Sequence, residues 1–287
     1  MTSAPISPDQ WLAILRAEGV KVAEYPGWRS NERDQATGKP FGPVHMILNH
    51  HTAGTASLKT VATGRTGLPG PLAHIHLNKQ GLATMVSAGR ANHAGLMARN
   101  AYESFVTEAE KHPAPDKSTG TVDGNDASYG IETENLGDND DVYPEVQYDA
   151  WVRINAAVLR FHRWNSDSVG LHKETSVEGK VDPRGPVAGY GTRGRFMFTG
   201  SIFRQDVAER LRHDPSWSPP QQAAPPATPQ PVPVPAEKKN PTYSAVAEAD
   251  AIPSPSNHPN HTKDPFWTLE TYLRFIAEEL IRQRPGA

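Results

Sequence analysis

The stretch VHMILNHHTAG, Val44 to Gly54, decides how this chain is read. Val44 to Asn49 form a short apolar run, which predicts a buried strand. His50 and His51 stand where that strand ends, so the backbone fixes the direction of each ring. Side chains alternate along a strand, so the two histidines point to opposite faces. Taken alone, the pair also suits surface histidines ahead of a turn.

Working outward, further elements follow from spacing. Ala73 to Leu77 and Ala83 to Ser87 read as strands on either side of an Asn78-Lys79-Gln80-Gly81 turn. Ser128 to Glu134 (SYGIETE) alternates as a strand does. Tyr148 to Trp164 carries Trp151, Ile154, Val158, Leu159 and Phe161 or His162 at helical intervals. Ser7 to Gly19 predicts a helix: Ser7 suits the cap, Pro8 the first turn and Gly19 the stop. Leu96 to Asp126 is polar and predicts a long surface loop. Strands interleaved with helices predict an α/β fold, a mixed central β-sheet flanked by helices.

Composition narrows the function. Of 287 residues, 37% are hydrophobic, enough for one sizeable core with appendages. The net charge of -3 lacks the basic surplus of a general nucleic-acid binder, so no nucleic-acid partner is expected. With no cysteine, disulfides, thiolate metal sites and cysteine nucleophiles are excluded. No run of about 18 apolar residues occurs, so membrane insertion is not expected. The first nineteen residues lack the basic and apolar regions of a signal peptide.

A second pair of candidate ligands lies downstream. His172 precedes Lys180-Val181-Asp182-Pro183-Arg184-Gly185. Histidine and carboxylate both ligate zinc, and catalytic zinc sites use three protein groups. The same donors suit other first-row metals. His172 and Asp182 are ten residues apart, and Pro183 and Gly185 supply turn chemistry to bring them together. An ordinary salt-bridged loop would read the same way.

A strand ending in HHTAG, then Gly130-Ile131-Glu132, then His172 and Lys180-x-Asp182 resembles the type 2 N-acetylmuramoyl-L-alanine amidases. These zinc enzymes share a fold with the peptidoglycan recognition proteins. The likeness covers roughly Val44 to Gly185. The N-terminal helix followed by Tyr25-Pro26-Gly27-Trp28-Arg29 also looks like the opening of endolysins from phages of actinobacteria.

The resemblance implies Zn2+ held by His50, His172 and Asp182. It implies catalytic roles for Glu132 in proton transfer and Lys180 at the oxyanion. It implies substrate contact by His93 and by His74, which stands where several relatives carry tyrosine. A lysine beside a metal is expected to show a lowered pKa or a nearby carboxylate. His76 lies on the same strand face as His74. His162 reads as packed or surface, and His45 shows no clear partner. Arg184 suits either a substrate carboxylate or a structural salt bridge.

The expected activity is cleavage of the amide between N-acetylmuramic acid and L-alanine of the stem peptide, with peptidoglycan as partner. An endolysin without a signal peptide stays in the host cytoplasm until holin-dependent release. Two other readings keep the fold: a peptidoglycan-binding protein that has lost catalysis, and a cytoplasmic amidase of soluble muropeptides. The complete ligand set weighs against the first, and the appendages weigh mildly against the second.

Those appendages begin at Pro215. Ten of the 27 prolines fall between Pro215 and Pro241, a composition that favours extended backbone over a packed core. The expected organisation is an amidase domain over 1–214 with its core at about 40–200, a Pro/Ala-rich linker over 215–263, and a helical element over 264–287. In the last, Leu269, Tyr272, Leu273, Ile276 and Leu280 form an apolar stripe. The stripe suits packing on the body or on itself, or a cell-wall or partner-binding element.

Overall fold

Ser7 opens the first helix as its sequence predicts. In this computed structural model its Oγ accepts from Gln10 N–H, and Gln10 Oε1 accepts from Ser7 N–H. That reciprocal pair starts α1, Pro8–Ala17, and Trp11, Leu12 and Leu15 bury its inner stripe. The structure describes residues 2–220, 252–253, 266–267 and 269–282.

Six strands form the central sheet: β1 Lys21–Glu24, β2 Ile47–His51, β3 Ile75–Leu77, β4 Leu82–Met85, β5 Tyr129–Thr133 and β6 Val169–Leu171. Their order is β1-β4-β3-β5-β2-β6. Only β3 and β4 pair antiparallel, across the expected turn; the other neighbours are parallel. Asn78 Oδ1 caps that turn by accepting from Gln80 and Leu82 N–H, both at 3.0 Å. The sheet is therefore mixed, as expected.

The predicted long helix is α2, Glu145–His162, and it ends where Arg163 turns left-handed. It buries Trp151, Ile154 and Val158, and α1 and α3 (Gly200–Leu211) pack against it. Trp151 Nε1 donates to Asn49 Oδ1 at 2.6 Å, and Asn49 also donates to Asn155 Oδ1. The polar residue inside the apolar β2 run thus fastens strand to helix. On the opposite face, Met46 and Leu48 pack with Met97 and Phe105. Alternation along β2 sends His50 to the Leu48 face.

That second face corrects the expected loop over Leu96 to Asp126. Leu96–Ala98 pairs antiparallel with Gly120–Asp123, Arg99–Val106 is a helix, and Gly124–Ala127 a short one. Side-chain polar bonds organise it. Arg90 bridges both oxygens of Asp123 and also donates to Asp126. Beneath lie Met97, Ala101 and Phe105, a stripe too short to stand out in a polar stretch. His45 also has partners after all: its Nε2 lies 3.0 Å from Ser168 Oγ, and its ring stacks on Trp164 at 4.4 Å. His162 is packed, 3.0 Å from Tyr129 OH.

Contacts of the body run past Pro215. Arg210, 0% exposed, donates to Glu18, to Pro215 O at 2.7 Å and to Trp217 O at 2.8 Å. Arg153 donates to Ser218 Oγ, and Pro219 is buried. The chain divides into units Met1–Ala223 and Ala224–Ala287. In the second unit, Ile252–Pro253 pairs with Phe266–Trp267, and a helix spans Leu269–Arg282. Leu273 and Ile276 on it are exposed. The expected cap at Asp264 and Pro265 lies outside the described residues. No helix among the described residues is long and apolar enough to cross a membrane.

These contacts set an outcome for truncation. A fragment ending at Pro220 should fold and keep any activity of the body. One ending at Asp214 strips Arg210 of two carbonyl acceptors, at about 1–3 kcal/mol for each buried donor left unmade. At about 2–4 °C per kcal/mol for a domain of this size, its Tm should fall several degrees below that of the 1–220 fragment. Equal melting temperatures by calorimetry would show that residues 215–220 add nothing to the body.

Candidate active site and metal centre

Strand register builds the centre. His50 on β2 stands beside Glu132 on β5. On the other flank Leu171 stands beside Asn49, so the next residue, His172, falls beside His50. Glu132, His50 and His172 thus form a row across the carboxyl ends of parallel strands, where open α/β sheets place ligands.

Asp182 completes the group from a loop. Its carbonyl accepts from Lys173 N–H at 2.8 Å, and Lys173 Nζ donates to Pro183 O. Arg184 N–H donates to His51 Nδ1, Arg184 Nε donates to Gly137 O, and Tyr143 OH donates to Arg184 O. Arg184 is therefore a structural anchor of the loop. His51, facing away from His50, lies so close to Gly137 that a Cβ there would sit 2.1 Å from its ring. Only glycine, here at φ +72°, fits that position.

His50 Nδ1 lies 3.0 Å from His172 Nδ1 and 3.1 Å from Asp182 Oδ2, and His172 Nδ1 lies 3.1 Å from the same oxygen. Two imidazoles and a carboxylate, all buried or nearly so, could hold a metal ion between these atoms. Among the described residues this is the one such group. Burial, then the neighbouring His172, lowers the His50 pKa to about 4, so the ring is neutral, as a metal ligand must be. Burial would raise the Asp182 pKa, but its contacts with His172 and His50 outweigh it and hold the carboxylate ionised. The donor set fits zinc, which accepts nitrogen and oxygen ligands in this number.

Beside it opens a cleft of about 500 Å³, lined by His50, His172, Asp182, Glu132, Lys180, Leu68, Leu72 and Asn92 among others. Glu132 Oε2 is out of solvent and has no hydrogen-bond partner. Burial, then Asp182, pushes its pKa well above the usual carboxylate range, with Lys180 opposing. Lys180 is 45% exposed and pairs with Glu178 at 3.2 Å.

Two histidines sit differently from the substrate contacts expected of them. His74 is fully buried among Trp11, Phe41 and Tyr129, and its Nδ1 accepts from Gly130 N–H. It offers no surface to a substrate, and burial holds its pKa at about 3. His93 borders the cleft, but both ring nitrogens point inward, to His50 and to Ser128 O. His76 lies 2.9 Å from Ser57 Oγ. The sequence reading missed Asn125, whose Oδ1 holds the backbone of His93 and Ala94.

A mixed α/β body that gathers two imidazoles, a carboxylate and a buried carboxylic acid at the carboxyl ends of its strands has the makings of a hydrolase. Residues 40–185 match the N-acetylmuramoyl-L-alanine amidase family, type 2, and the chain belongs to it. The family supports peptidoglycan amidase activity for this chain. No curated protein matches the chain significantly.

Solved structures with a similar fold include an endolysin N-acetylmuramoyl-L-alanine amidase, LysCS, from Clostridium intestinale, at 16% identity and TM-score 0.35, covering 53% of this chain and 81% of that one. An AmpD structure is similar at 18% identity and TM-score 0.39, covering 66% and 94%. AmpDh3 from Pseudomonas aeruginosa, in complex with an anhydromuramic pentapeptide, is similar at 23% identity and TM-score 0.34, covering 49% and 55%.

Proposed function

We propose that the protein is a zinc-dependent peptidoglycan hydrolase that cuts the amide between N-acetylmuramic acid and L-alanine of the stem peptide, and that it serves as an endolysin. The observation that carries the reading is the meeting of His50 Nδ1, His172 Nδ1 and Asp182 Oδ2 at 3.0–3.1 Å beside the unpartnered Glu132. His50, His172 and Asp182 would hold the ion. Bound zinc supplies a Lewis acid and makes water acidic enough to attack an amide near pH 7.

The protein's own groups do the rest. Glu132 takes the proton of the attacking water and passes it to the departing L-alanine nitrogen. A carboxylate with a raised pKa is a stronger base while ionised and holds its proton longer once it has one, which suits both halves of that transfer. Lys180, on the cleft wall, brings positive charge to the carbonyl oxygen as it becomes an oxyanion. Its pairing with the exposed Glu178 keeps the ammonium on that side of the cleft.

The test is digestion of purified peptidoglycan with and without a chelator, followed by mass spectrometry of the products. New L-alanine amino termini on intact glycan strands are expected, lost with the chelator and restored by zinc. Cleavage that generates new sugar ends, or none from zinc-loaded protein, would overturn the reading. Lysis of susceptible cells from within, on co-expression with a holin, tests the endolysin role.

A further inference from the structure

His93 has no part in that chemistry, yet it is one of the most closely held side chains at the cleft. Its backbone N–H and that of Ala94 donate to Asn125 Oδ1, both at 2.8 Å. Its ring occupies the space above Gly130, where a Cβ would lie 2.5 Å from His93 Cγ. Nε2 lies 3.3 Å from Ser128 O, and Nδ1 lies 3.1 Å from His50 Nε2.

Hydrogen-bond chemistry orders this chain. A carbonyl oxygen only accepts, so His93 Nε2 carries a hydrogen. The residue is 8% exposed and its ring neighbours are His50 and His74, so the ring is buried as neutral imidazole with one hydrogen. Its Nδ1 is then a lone pair and accepts from His50 Nε2–H. His50 in turn keeps its single hydrogen at Nε2, and its Nδ1 is the lone pair that faces His172, whose Nδ1–H is the donor to Asp182 Oδ2 in the metal-free site.

We propose that His93 is a positioning residue for the metal site: the relay Ser128 O, His93, His50 fixes His50 in the tautomer and orientation that present Nδ1 to the ion. This deepens the zinc reading above and rests on it. Gly130 and Asn125 belong to the same device, one making room for the ring and the other aiming its backbone. The outer hydrogen bond of a metal-bound histidine is commonly worth about 10–100-fold in metal affinity.

The experiment compares zinc affinity, by competition with a fluorescent chelator, in the wild type, His93→Phe and His93→Gln. Phenylalanine fills the space but cannot accept a hydrogen bond; the glutamine carbonyl can. Affinity should fall by about 10–100-fold in His93→Phe and recover in part in His93→Gln. Long-range 1H–15N correlation on zinc-free wild-type protein gives a second reading, with His50 expected to carry its hydrogen on Nε2.

A folded His93→Phe protein that binds zinc as tightly as the wild type would overturn the role. So would a His50 hydrogen on Nδ1, which decides the matter if the variant does not fold. Wild-type protein that takes up no zinc would instead overturn the metal reading, and this role with it.

Discussion

His172→Ala is expected to abolish zinc binding and amidase activity together while leaving a folded body. The imidazole contributes one of three donor atoms, and its Nδ1 lies within 3.1 Å of the other two. With it removed, only His50 and Asp182 remain, short of the three protein ligands a catalytic zinc site uses. The affinity loss should exceed the about 10–100-fold that an outer-sphere change costs. His172 follows the last residue of β6 and is not one of the apolar side chains that build the core, so the sheet should survive. The discriminating measurement is a thermal melt with added zinc. An ion that binds only the folded state raises Tm with its concentration, so the wild type should shift and the variant should not. Zinc at full stoichiometry in His172→Ala would remove His172 from the ligand set. The same two losses are expected for Asp182→Ala, and combining both changes should add little, because either one already empties the site of its chemistry.

How much of this was legible in the sequence depended on what each feature rests on. β2 was legible because an apolar run ending in paired histidines needs only local alternation to be read, and His50 and His51 do take opposite faces. α1 was legible because Ser7 and Pro8 mark its start and Gly19 its stop, so its ends are local chemistry. The segment from Leu96 to Asp126 was not. Its elements are short, and what holds them is Arg90 on Asp123 and Asp126 and Asn125 on the His93 backbone, bonds between residues about 30 apart. The spacing of Met97, Ala101 and Phe105 was the available signal. His74 and His93 illustrate the same limit at the site. A histidine's residue type and place in a motif do not say which way its nitrogens face. That follows from Gly130 and Trp11, which tertiary packing brings to them. The meeting of His50, His172 and Asp182 was read through a resemblance; spacing alone left a salt-bridged loop equally open, and only the register of β2 with β6 puts His172 beside His50.

Glu132→Gln should separate binding from chemistry. Glutamine keeps the volume and shape of the side chain and removes its capacity to take a proton. Glu132 lies beside His50 in register but outside the set of converging donor atoms, so zinc stoichiometry should not change. Turnover should fall by about 10²–10⁴-fold, the usual contribution of a positioned acid–base group. Stability should not fall with it, and the reason is visible in the fold. Glu132 Oε2 is shielded from solvent without a partner, and both burial and Asp182 oppose its charge. Such a group destabilises the protein that carries it, so a neutral amide should leave Tm unchanged or raise it. A carboxylate kept in so unfavourable a place has a use there, and strained or unsatisfied groups of this kind cluster at functional sites. Three readouts on one variant divide the outcomes. Lost turnover with zinc and Tm retained assigns Glu132 to the proton transfer. Lost turnover with lost zinc would make it a support of the metal site. Unchanged turnover would take it out of the mechanism, leaving Lys180 and the bound ion to account for the hydrolysis.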